Sequence, residues 1–160
     1  MNTRLRIGFG TDLHRLEKNG RRLVLGGVEL EHPEGFGPVS HSDGDALLHA
    51  LCDALLGAFG LGDIGTHFPD TDERFRDAPS TRLLRETLRM CPPMRIANVD
   101  MVVQCDRPRL APWREEIVRN VAALLEMEEN RVNLKAKTWE GTSSEGEAVS
   151  VSVVLLAELE

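Results

Sequence analysis

The stretch Ser42–Gly60, SDGDALLHALCDALLGAFG, constrains the fold more than any other part of this 160-residue sequence. Leu47, Leu48, Leu51, Leu55 and Phe59 recur at helical spacing, and the apolar stripe they form needs a second layer to cover it. Ser42 or Asp43 stands where it can cap this helix. The flanks supply the layer. "RLRIGFGTDLH" (residues 4–14) reads as a strand, and "RRLVLGGVELE" (21–31) as two short strands joined through Gly26-Gly27.

Further along, "LGDIGTHFPDTDERFRDAP" (61–79) is a loop, after which Ser80 stands as the cap of a second helix, "STRLLRETLRM", stopped by Pro92-Pro93. "MRIANVDMVVQCD" (94–106) is a strand and "APWREEIVRNVAALLEME" (111–128) a third amphipathic helix. "RVNLKAKTWE" (131–140) and "GEAVSVSVVLLAELE" (146–160) are two more strands, the last alternating Val149, Val151 and Val153 with Ser150 and Ser152. Interleaved helices and strands predict an α/β (α+β-like) fold with a mixed β-sheet. The length suits a single domain over residues 1–160.

The net charge of −7 leaves no basic excess to neutralise a nucleic-acid backbone or an anionic membrane. A phosphorylated ligand then needs metals, backbone amides or a few placed cations. Cys52, Cys91 and Cys105 are odd in number and lack C-x-x-C spacing, which fits a reducing compartment. No apolar run has the length of a membrane span, and the first residues lack the apolar segment of a secretory signal. The expectation is a cytoplasmic protein.

Asp12 and His14 are two residues apart, so on a strand they project from one face while Leu13 turns into the core. By itself this pair reads equally as a solvated acid beside a surface histidine. Asp45, His49 and Asp53 fall at i, i+4 and i+8 on the long helix, and His49 is a candidate third donor. Asp, His and His make a three-ligand zinc site with one open position, the arrangement of catalytic zinc. Spacing alone does not bring strand and helix together, and a surface or hydrogen-bonded core histidine stays open as the alternative. His41 and Ser42 lie where the exposed amides of a helix N-terminus favour anions, although capping alone explains Ser42.

"GTDLH" (10–14), "SHSDGDALLHALCDALLGAFGLGDIGTHFPDTD" (40–72) and "KTWE" (137–140), in this order and at these intervals, resemble the 2-C-methyl-D-erythritol 2,4-cyclodiphosphate synthase family over essentially the whole chain. The resemblance implies an enzyme of the non-mevalonate isoprenoid pathway. Its substrate is 4-diphosphocytidyl-2-C-methyl-D-erythritol 2-phosphate, whose own 2-phosphate attacks the β-phosphorus, closing a ring and expelling CMP. Such a reaction asks for positioning and charge stabilisation and needs no protein nucleophile.

The resemblance further implies that Asp12, His14 and His49 hold one zinc, or a similar divalent transition metal, per subunit. Glu140 matches the ligand of a second divalent ion, magnesium or manganese, and His41 and Thr138 match groups that orient the transferring phosphate. Substrate binding maps to Asp12, Leu13, His14, His41 and Ser42, with Asp63, Ile64, Gly65, Phe68, Pro69, Asp70, Thr71 and Asp72. The nucleotide pocket maps to Cys105, Asp106, Arg107, Pro108, Arg109, Leu110 and Ala111, joined by Lys137 and Thr138. Arg109 stands where the family commonly has lysine. Asp45 and Asp53 read either as carboxylates that orient metal-bound histidines or simply as residues of the helix face. The family forms homotrimers whose sheets surround the axis, with helices on the other face and active sites between subunits.

Two departures stand out. Many members carry an L-G-F-x-G-x-G-E-G stretch after the glutamate, and this chain has only GTSSEGE at 141–147, without its phenylalanine and arginine. Trp139 replaces a small hydroxyl residue. Two rival functions share the metal triad or the fold: a zinc hydrolase of phosphate esters, and a non-enzymatic trimeric scaffold. The cation-bearing nucleotide loop speaks against the first, and intact Asp12, His14, His41, His49 and Glu140 against the second.

Overall fold

The computed structural model describes residues 3–142 and 147–160. Its layers meet through two glycines. Strand β1 (Leu5–Lys18) lies against helix α1 (Ala46–Ala58), and a Cβ on Gly8 or Gly10 would stand 1.9 Å from the Ala54 carbonyl oxygen or 2.0 Å from that of Ala50. Any side chain there forces strand and helix apart. The leucine stripe fills the seam, with Leu47, Leu48, Leu51 and Leu55 fully buried.

β1 is flanked by β4 (Phe36–Pro38) and β7 (Glu147–Leu159), both antiparallel to it. β7 then pairs antiparallel with β5 (Met94–Gln104), which pairs parallel with β6 (Val132–Lys137), so the sheet order is β4-β1-β7-β5-β6. The parallel pair is joined through α4 (Arg114–Leu124), as parallel strands require a crossover. β2 (Leu23–Leu25) and β3 (Val28–Leu30) form the separate hairpin expected at Gly26-Gly27, both with positive φ. α2 (Ile64–His67) and α3 (Ser80–Met90) follow α1.

Helices cover one face of the sheet. On that face Val149, Val151 and Val153 are buried, whereas Ile7, Phe9, Leu13 and Val154 on the other face are exposed. Leu13 is therefore not a core residue: at 63 % exposure it lies on the open face, and its polar neighbours Asp12 and His14 turn toward α1. The register places Leu13, Ser150, Gln104 and Lys137 in one row across four strands. At about 4.8 Å per strand the row spans roughly 14 Å.

Helix starts differ from expectation. α1 is capped neither by Ser42 nor by Asp43 but by Asp45, whose side chain accepts from the amides of Leu47 and Leu48. The same carboxylate accepts from Gly26 at 2.9 Å and Gly27 at 2.6 Å, fastening the hairpin to the helix. Ser80 is the first residue of α3, not its cap, and its hydroxyl points elsewhere. The third helix opens with a 3₁₀ turn over Ala111–Trp113, and a short α2 interrupts the expected loop.

Candidate active site

Two residues of β1 and one of α1 converge because the glycine seam draws these elements together. His14 Nδ1 lies 2.9 Å from Asp12 Oδ2, and His49 Nδ1 lies 3.1 Å from the same oxygen. One donor atom from each of the three falls within 4.8 Å of the others, an array that could hold a metal ion. The imidazole rings of His14 and His49 are 5.5 Å apart. All three side chains are largely shielded, at 12, 24 and 12 % exposure for His14, Asp12 and His49.

His14 Nδ1 is buried and, despite its short approach to Asp12, lacks an aligned hydrogen bond among the described residues. A buried ring nitrogen left without an aligned partner beside a carboxylate is what a cation needs. Two imidazoles and a carboxylate suit a divalent transition ion with an open coordination position. Burial raises the Asp12 pKa, but the close imidazoles of His14 and His49 outweigh it and hold the carboxyl well below its ordinary range. Burial likewise opposes the charged form of His49, and Asp12 overcomes it to raise that pKa.

The third donor is held from behind. Ser80 Oγ lies 2.8 Å from His49 Nε2 and donates its own hydrogen to Asp43, while Ser42 Oγ stands 3.2 Å from the same nitrogen. The sequence pattern assigns this support to Asp45 and Asp53, and neither provides it. Asp45 is consumed by four backbone amides, and its burial pushes the pKa up to about 6 against their pull. Asp53 accepts from the Ile64 amide at 2.7 Å and so shapes the turn before α2. With Asp45 occupying the first amides of α1, the helix N-terminus is not an anion site beside His41 and Ser42.

A cavity of about 360 Å³ opens over the cluster. Asp12, Leu13, His14, His41, Ser42, His49, Ile64, Gly65, Phe68 and Asp70 line it, as do Arg15, Val39, Ser40, Phe75 and Leu83, which sequence reasoning did not single out. His41 Nε2 is buried without a partner among the described residues. Asp63, Pro69, Thr71 and Asp72 do not line the cavity. Asp63 caps α2, and Asp72 caps a 3₁₀ turn and pairs with Arg74.

None of the nucleotide-loop residues lines it either. Cys105, Asp106, Arg107, Pro108, Arg109, Leu110 and Ala111 lie at the end of β5, and Lys137, Thr138 and Glu140 at the end of β6. Both sets share the sheet end that carries Asp12 and His14, two to three strands away. Gln104 Nε2 and the Cys105 amide bond the Thr138 and Lys137 carbonyls, and the Trp139 amide donates to Asp106. The Trp139 indole donates to the Ala148 carbonyl at 3.2 Å, so this departure from the family pattern pins the turn to β7. Thr138 Oγ1 lies 2.6 Å from Glu140 Oε1, and both residues are exposed. Burial pushes the Cys105 thiol up to about 11, which leaves it uncharged at neutral pH. Residues 143–146 of the shortened segment lie outside the described residues.

Fold and cluster together define an α/β protein with a mixed five-stranded sheet and a three-donor metal-type site at the mouth of a cavity. The model of the YgbB family matches residues 5–159, and the chain belongs to that family. It is 47 % identical to 2-C-methyl-D-erythritol 2,4-cyclodiphosphate synthase of Syntrophomonas wolfei over 96 % of this chain and 99 % of the relative. It is 46 % identical to the synthase of Desulfatibacillum aliphaticivorans, over 98 % of this chain and all of the relative. A solved CDP-bound structure of such a synthase superposes with a TM-score of 0.86 at 40 % identity, over 96 % of this chain and all of that one.

Proposed function

We propose that this chain cyclises 4-diphosphocytidyl-2-C-methyl-D-erythritol 2-phosphate to 2-C-methyl-D-erythritol 2,4-cyclodiphosphate, releasing CMP, within the non-mevalonate isoprenoid pathway. The observation that carries the proposal is the convergence of Asp12, His14 and His49 on one point beneath the cavity. Zinc bound there supplies a Lewis acid and template for a phosphate oxygen. His41, which lines the same cavity, orients the transferring phosphate. Ile64, Gly65, Phe68 and Asp70 cradle the methylerythritol part, with Asp63, Pro69, Thr71 and Asp72 shaping that segment. Glu140 holds a second hard cation, magnesium or manganese, through carboxylate oxygen, and Thr138 at 2.6 Å orients that carboxylate.

The Cys105–Ala111 loop, Lys137 and Thr138 take the cytidine nucleotide. They and the metal cluster sit apart on one chain, so a complete site requires the loop of a neighbouring copy. A homotrimer packed through the open sheet face meets that need, and the exposed Ile7, Phe9, Leu13 and Val154 support it. Residues 1–160 are read as one synthase domain, whose described residues share one buried apolar cluster. No helix among the described residues is long and apolar enough to cross a membrane, and three unpaired cysteines favour the cytoplasm.

Substituting His49 by alanine tests the metal role. Bound metal and cyclisation fall together while the fold and assembly persist. Full activity without bound metal would reject the assignment.

A further inference from the structure

Beneath the nucleotide loop lies a charge cluster that the proposed reaction does not use. Arg107 bonds Glu147, the first residue of β7, through Nε at 2.9 Å and through a second nitrogen, and its remaining nitrogen bonds Glu34 in the β3–β4 connection. Glu147 is only 12 % exposed, and its other oxygen lies 3.8 Å from Nε2 of His32, whose side chain is 2 % exposed. His32 Nδ1 accepts from the Glu34 amide at 3.1 Å, so Nε2 carries the hydrogen. That nitrogen has no hydrogen-bond partner among the described residues.

Two features set the role of Arg107. A shielded carboxylate whose only Lys or Arg partner among the described residues is Arg107 is costly unless that residue stays in place. Conversely, two carboxylates around one guanidinium leave the cluster net negative, and an incoming phosphate is repelled there. Arg107 is thus ill suited to take up the ligand, while Arg109 and Lys137 form no ion pair among the described residues. Other bonds tie the base of the loop to β6: the Cys105 amide to Lys137, and Asp106 to Trp139. Among the described residues, Arg107 alone ties the middle of the loop to the β3–β4 connection and to β7.

We propose that Arg107, clamped by Glu34 and Glu147 above buried His32, is a positioning residue that fixes the Cys105–Leu110 backbone for nucleotide binding without touching the nucleotide. This rests on the reading of that loop as the nucleotide site. It replaces the expectation that Arg107 contacts the ligand.

The test is a double-mutant cycle on the full chain with Arg107→Ala, Glu147→Gln and the pair, using CDP as the calorimetric probe and the cytidylyl substrate for kinetics. A brace predicts that each single change weakens CDP binding and raises KM about three- to tenfold, as for a partly shielded ion pair, with kcat within about twofold. The pair is then no worse than the worse single. Arg107→Lys, which keeps the charge, restores part of the affinity and serves where the alanine variant is too unstable. If Glu147→Gln leaves CDP binding unchanged or tightens it while Arg107→Ala weakens it, Arg107 contacts the ligand and the brace is wrong. Wild-type protein that neither binds CDP nor turns over the substrate overturns the nucleotide reading and the brace with it.

Discussion

Ser80 Oγ accepts from His49 Nε2 across 2.8 Å and passes its own hydrogen to Asp43. A hydroxyl committed to a carboxylate offers only its lone pair to the imidazole, so Nε2 carries a hydrogen and Nδ1 is the atom aimed at Asp12. Ser80→Ala therefore lowers metal affinity about tenfold, the effect usual for a partner that orients a metal-bound histidine. Competition with a chelator reads this directly. Unchanged affinity with an unchanged melting temperature would show that Ser80 does not orient the ring.

The glycine seam gives a pair of opposite stability effects. Gly10→Ala drives a Cβ to 2.0 Å from a helix backbone oxygen and destabilises by about 3 kcal/mol or more, since neither element yields freely. Gly57, on α1, is roomier: a methyl group there would meet only the Phe9 carbonyl oxygen, at 3.7 Å, so Gly57→Ala stabilises by about 0.5–1 kcal/mol. Denaturant midpoints distinguish the two. Equal and small effects would mean that strand and helix are not in close contact.

In metal-free protein the Asp12–His49 pair makes stability depend on pH. Asp12 is depressed from 3.8, so its contribution is present above that value and is lost as pH falls toward the folded pKa. His49 is raised from 6.5, so its contribution is full below that value and is lost as pH rises through the folded pKa. The melting temperature of metal-free wild type should exceed that of Asp12→Asn most between these two values. The gap narrows as pH falls below 3.8 toward the folded Asp12 pKa, and again as pH rises above 6.5 through the folded His49 pKa. A gap that stays constant across that range would contradict the pairing.

Much of the fold was legible because periodicity reports burial. The leucine stripe, the Gly26-Gly27 hairpin and the Val149–Val153 alternation each correspond to an observed element. Other features depend on contacts distant in sequence. Asp45 caps α1 instead of Ser42 because it must also meet Gly26 and Gly27, far back along the chain, as the hydrogen bonds show. Leu13 resembles a core residue in the sequence because alternation gives two faces without saying which one the helices cover. The metal triad follows from residue type, yet the reason it assembles, Gly8 and Gly10 beneath α1, carries no side-chain signal beyond two glycines in a strand. Ser80 is visible as a helix start, and only the fold brings its hydroxyl to His49.

Incubation with the cytidylyl substrate, followed by phosphorus spectroscopy, tests the central claim most directly. The protein loaded with a divalent metal should yield CMP and the cyclic diphosphate in equal amounts, with loss of the free 2-phosphate signal. A linear phosphate product that retains that signal would identify a metal-dependent hydrolase, and no turnover at one metal per chain would contradict the enzymatic reading altogether.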